Sequence, residues 1–204
     1  MAVAPAPSAD DGGDVLRRLR TATAADHEQV ERTLDLMDPG LDRPRLIRSL
    51  TVLHGFWRSA ESGLSDWAAR EPVDAASVDW SRRRRADLYA DDLRALGAPP
   101  AAAGPALPRL AGTDEALGRL YVLEGATLGG TFIDRHLAAL PALAGVRLRA
   151  FSPYGGQTGA MWRSYRRAAR ARVEAGGDAD RMVAAARATF AALAAWSGTV
   201  GARG

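Results

Sequence analysis

The chain has 204 residues, 47% of them hydrophobic and 25% charged, which suits one globular domain with a substantial core. It has no cysteine, so disulfides and thiolate chemistry are excluded, and a reducing, cytoplasmic compartment is expected. All 27 basic residues are arginine against 24 acids; that slight excess argues against nucleic acid, and the absence of any run of about 18 apolar residues argues against a membrane span.

Residues 1–13 lack a basic n-region and an apolar h-region, and read as a disordered Ala/Pro lead. Helical periodicity governs the chain from Asp14 onward. A first helix is expected from Asp14, its cap, to Met37, with Leu16, Leu19, Thr23, His27, Val30 and Leu34 on one stripe and Asp26 and Glu28 turned away. Asp38-Pro39-Gly40 ends it. A second runs from Asp42 to Arg70, with Pro44 in its first turn. A third covers Ser81 to Leu96, and its opening run Arg82–Arg85, without interleaved aromatics, reads as a solvated helix start. A fourth starts near Thr113 and continues to Leu140, a fifth covers Gln157 to Glu174, and a last one ends near Trp196. Residues 199–204 read as a flexible tail. The expectation is an all-α, single-domain bundle over residues 14–198.

Three histidines are present: His27, His54 and His136. No glutamate precedes a histidine by three residues, so a di-iron or zinc site is not expected. His27 stands out because it lies on an apolar stripe, where a neutral imidazole suits a single axial ligand for heme iron; a core histidine bonded to a carbonyl fits the spacing as well. His54 and His136 read as structural. In Leu123-Glu124-Gly125-Ala126-Thr127-Leu128-Gly129-Gly130, three glycines fall inside one helical stretch, each costing roughly 1 kcal/mol against alanine. A kink that lets backbone approach a flat ligand compensates that cost. So does close helix–helix packing through Gly125 and Gly129. In the fifth helix, Arg163, Arg166 and Arg167 around Trp162 and Tyr165 form a basic face that, with Arg20, suits carboxylates.

These segments, in this order, resemble the heme oxygenase family, especially the bacterial branch that supplies biliverdin to bacteriophytochromes. The string Tyr121-Val122-Leu123-Glu124-Gly125-Ala126-Thr127-Leu128-Gly129-Gly130 is the most specific part. The stretch from Leu19 to Glu28, Tyr154-Gly155 and Trp162-Arg163 match as well. The resemblance implies heme between the first helix and a kinked distal helix, as both cofactor and substrate. It implies His27 as the proximal iron ligand, and Gly125 and Gly129 as the catalytic approach of the distal helix. Arg20, Arg163 and Arg166 then meet the propionates, and Tyr121 edges the pocket. The products are biliverdin, carbon monoxide and ferrous iron. The implied partners are dioxygen, a ferredoxin or flavoprotein reductase as external electron donor, and a bacteriophytochrome as bilin acceptor, with a monomer as the expected state. Ala126 stands where many members carry an aspartate beside bound dioxygen. That departure leaves open a non-catalytic heme carrier on the same fold.

Overall fold

A computed structural model describes residues 14–201; the expected lead, residues 1–13, and the last part of the expected tail, residues 202–204, lie outside the described residues. The described residues fold into seven α-helices: α1 (Val15–Leu34), α2 (Arg43–Arg70), α3 (Pro72–Ser77), α4 (Ala86–Ala95), α5 (Thr113–Ala139), α6 (Thr158–Glu174) and α7 (Ala179–Gly201). There is no strand among the described residues, and no helix is long and apolar enough to cross a membrane.

The starts follow side-chain chemistry. Asp14 accepts from the Leu16 N–H at the head of α1, and Asp42 from the Arg45 N–H at the head of α2, each satisfying a donor that the first turn cannot. At α5 the carboxylate of Glu115 turns back to the Gly112 N–H, so the cap is Gly112. The Thr113 hydroxyl is engaged elsewhere, with Asp74 and the Trp67 indole. The stops need left-handed backbone, supplied by Asp35 after α1 (φ 45°) and by Gly97 and Gly176 after α4 and α6. The expected third helix is shorter than its pattern: residues 80–82 form a 3₁₀ turn and α4 begins only at Ala86.

The helix α7 packs on both α1 and α5. Charged pairs join α1 to α7 at Arg18–Asp180 and Arg187–Asp26, so Asp26, expected to point away, faces α7. Residue numbers rise together across these pairs, so the two helices run parallel. Gly118 of α5 seats against the Met182 carbonyl of α7, where any Cβ would collide. Leu19, Leu46, Leu50, Trp57, Leu64, Trp67 and Tyr165 fill the fully buried core.

Candidate functional site

The space between α1 and α5 is bracketed at two points. The Tyr121 hydroxyl is within hydrogen-bonding reach of Thr23 and in the field of Arg20. His136 Nε2 lies 3.1 Å from the Asp38 carbonyl just beyond α1, 98 residues away in sequence, and Tyr121 and Thr23 have the same separation. The contacts rise together in sequence, so α1 and α5 run parallel, and His27 on one and Gly125 and Gly129 on the other lie between the same two contacts.

On α5, Gly125, Leu128, Gly129 and Phe132 share one face by steps of three and four. A Cβ built at Gly125 or Gly129 meets no atom within 4 Å, whereas one at Gly130 would strike the Phe151 carbonyl. Leu128 and Phe132 are 41% and 58% exposed, an apolar strip without cover. This decides between the two readings of the glycines. Gly125 and Gly129 do not pack against another helix; Gly118 and Gly130 do the close packing. The backbone of α5 stays helical from Thr113 to Ala139, so the glycine stretch bares a face without interrupting the helix.

On α1 the expected stripe holds, with His27 its exception. Leu16, Leu19, Thr23 and Val30 are buried, while the His27 side chain is 51% exposed. Its ring stands edge-on to Phe190 of α7 at 5.9 Å. Its Nδ1 is 3.6 Å from Glu31 Oε2. The carboxylate thus stands on the Nδ1 side of the ring, at the distance of a charge contact and not of a hydrogen bond. Sequence reasoning misses Glu31, although a glutamate four residues after a histidine lies on the same helix face.

Tyr121 ties three helices together. Beyond Thr23 of α1 it meets Trp162 at 6.1 Å and Tyr165 at 6.4 Å on α6, and burial raises its hydroxyl above the usual range. Arg20 is exposed at this corner. Arg166 acts on Asp14 at the head of α1, and Arg163 is exposed above Gly159. The structure thus brings Arg20 and Tyr121 together, while Arg166 leans toward the α1 cap.

The other histidines are structural. His54 is buried, and its Nδ1 accepts from the Ala101 N–H at 2.9 Å; burial lowers its pKa, so the ring stays neutral. No cluster of three or more metal-ligating side chains occurs among the described residues.

The arginine run is not a solvated helix start. Arg83 and Arg85 are 0% and 2% exposed. Glu124, fully buried on α5, lies 2.5 Å from Arg83 and 3.4 Å from Arg85. It also accepts from the Tyr154 hydroxyl at 2.8 Å. Arg83 donates to the Val78 and Met161 carbonyls, and the Arg85 guanidinium lies over the Trp57 and Tyr154 rings. The pointer in the sequence is Glu124, a charge inside the apolar run 120–123, where a buried acid demands a buried base.

Comparison with known proteins adds the family. The family model described as heme oxygenase matches residues 14–198. A curated heme oxygenase from Xanthomonas campestris is 35% identical over 147 residues, which are 72% of this chain and 82% of that protein. The solved structure of a heme oxygenase from Neisseria meningitidis, with NO and CO bound, is 24% identical and superposes with a TM-score of 0.71 over 92% of both chains, a likeness of fold.

Proposed function

This chain belongs to the heme oxygenase family, and we propose that its reaction, the opening of heme to biliverdin, carbon monoxide and ferrous iron, takes place between α1 and α5 with His27 as the iron ligand. The observation that supports the reading is the bare face of Gly125 and Gly129 on α5 and the half-exposed imidazole of His27 on α1, both lying between the same two contacts of these segments. The residues there fit heme: an imidazole nitrogen donor, a side-chain-free stretch of helix, and the uncovered apolar side chains Leu128 and Phe132.

Heme, when bound, supplies both the iron that takes up dioxygen and the carbon ring that is cut. His27 would present Nε2, with the Glu31 carboxylate 3.6 Å from Nδ1 on the same helix face. Gly125 and Gly129 keep side chains off this face of α5, so with heme bound the backbone there would leave room for dioxygen beside the ring. Leu128 and Phe132 cover apolar ring surface and exclude water. Arg20 neutralises a carboxylate at the Tyr121 corner, with Arg163 and Arg166 beyond it on α6. Tyr121 keeps its proton at neutral pH, because burial raises its pKa, and edges the slot as a hydroxyl. With alanine at position 126 and no acid there, ordered water is left to relay protons.

Electrons come from an external donor. We assign a ferredoxin or flavoprotein with an acidic face, matched to the exposed arginines of this chain. A bacteriophytochrome as bilin acceptor, a monomeric state and a cytoplasmic location rest on the sequence resemblance and composition. The test is a hemin titration followed by reduction in air. Wild-type protein gives a Soret band and then a green bilin, and His27→Ala loses the axial spectrum and turnover. A Soret band that survives reduction in air overturns the enzymatic reading, and an unaltered His27→Ala overturns the ligand assignment.

A further inference from the structure

The chain between α5 and α6 runs along α5 on the side away from its bare face. Three fastenings hold it there, and they span the glycine stretch. Before that stretch, the Tyr154 hydroxyl donates to Glu124 Oε1 at 2.8 Å. Within it, the Phe151 carbonyl occupies the place where a side chain on Gly130 would begin. Beyond it, the Ser152 hydroxyl donates to the Asp134 carboxylate. Glu124, Thr127, Gly130 and Asp134 share a face by helical spacing, distinct from the face of Gly125, Leu128, Gly129 and Phe132.

This crossing segment is itself fixed at both ends. Asp92 of α4, 2% exposed, accepts from the backbone N–H groups of Arg149 and Ala150 at 2.9–3.0 Å. The Tyr154 ring lies 4.9 Å from the Arg85 guanidinium, which also stands 4.7 Å from the Trp57 ring. Tyr154 is thereby tied to the buried Glu124–Arg83–Arg85 cluster, and burial pushes its hydroxyl up to about 12, so it remains a donor at neutral pH.

A helix with three glycines in six residues and one uncovered face has little of its own to hold a fixed curvature. Its stiffness must come from the covered side. We propose that residues 150–154 are a splint, with Tyr154 and Ser152 as positioning residues that set where the glycine stretch of α5 stands relative to α1, and through that which edge of the heme ring is opened. The inference rests on the assignment of the α1–α5 gap as the heme site. It adds two residues that touch neither heme nor iron in that assignment.

Tyr154→Phe keeps the ring on Arg85 and removes the bond to Glu124; Ser152→Ala removes the fastening at the other end, and Ser152→Thr restores it. Amide exchange in the hemin-free protein, read by mass spectrometry, should quicken by about tenfold across residues 121–137 in Tyr154→Phe and Ser152→Ala, since each loses a hydrogen bond to a carboxylate. Exchange in α2 and α7 should not change. With hemin, reductant and air, the mixture of bilin isomers should broaden and kcat should fall, while KM for hemin moves by less than about threefold. Ser152→Thr should return both to wild type. Unchanged exchange over residues 121–137, exchange that rises equally in every helix, or an unchanged isomer mixture overturns the splint. A wild-type protein that neither binds nor opens hemin overturns the site assignment instead, and the exchange measurement on the hemin-free protein still judges the splint.

Discussion

Replacing Gly125 and Gly129 together by alanine should make the hemin-free protein more stable and the enzyme worse. Both glycines are helical, neither has positive φ, and a Cβ at either meets no atom within 4 Å. Alanine then gains its ordinary advantage in a helix interior of about 0.8–1 kcal/mol per site, about 2 kcal/mol for the pair. For a chain of this size that raises Tm by about 4–8 °C. The two methyl groups enter the face proposed to meet heme, where a displacement on the order of 1 Å costs up to about 100-fold in turnover. Gly130→Ala is the contrast: its methyl strikes the Phe151 carbonyl, and the shift needed costs about 1–3 kcal/mol. Thermal and urea unfolding of the hemin-free variants, beside hemin titration and bilin formation, measure both effects. A double variant that melts below wild type refutes the open face. One that melts higher with wild-type turnover shows an open face that is not the heme site.

Arg20→Glu should weaken hemin binding by about 1–2 kcal/mol, about 5- to 30-fold, as a cation that attracts a carboxylate becomes an anion that repels it; hemin affinity indifferent to this change makes Arg20 a surface residue. Stability should fall as pH drops below about 6.5, because burial lowers the pKa of His54 and the unfolded chain then binds a proton that the folded ring refuses. His54→Asn, which keeps an acceptor for the Ala101 N–H, should flatten that dependence in urea titrations at stepped pH, and an unchanged slope assigns it to other groups. Arg83→Met should lower stability by about 3–5 kcal/mol, since it strips a partner from a fully buried carboxylate; a loss under about 1 kcal/mol in urea unfolding would mean that Arg85 alone satisfies Glu124.

Much of the fold follows from local rules. The caps at Asp14 and Asp42, the break at Glu71-Pro72 and the turn before α7 lie where side-chain chemistry requires them. The marking of α1 by His27 and of α5 by its glycines is also legible, because both anomalies occur inside otherwise regular helices. What spacing does not carry is the identity of the neighbour. Gly118, Gly125, Gly129 and Gly130 have the same local chemistry, yet two abut backbone of another segment and two abut open space. The burial of Arg83 and Arg85 is hidden for the same reason. A run of four arginines has the composition of a wet surface, and only the distant Glu124, Trp57 and Tyr154 turn two of them inward. The division of the third helix into a 3₁₀ turn and α4 goes with another distant partner, the buried Glu61 of α2, whose carboxylate accepts from the Arg85 and Ala86 N–H groups where α4 begins.

The joints at Thr23–Tyr121 and Asp38–His136 enclose the helical stretches 23–34 of α1 and 121–136 of α5. Losing one residue from either stretch would turn everything beyond it by about 100° and draw it back by about 1.5 Å. One joint would then part, or the imidazole would swing off its side of the gap. Insertions and deletions in related sequences should therefore avoid residues 23–34 and 121–136, or arise in both at once, which makes these two stretches a single unit of inheritance.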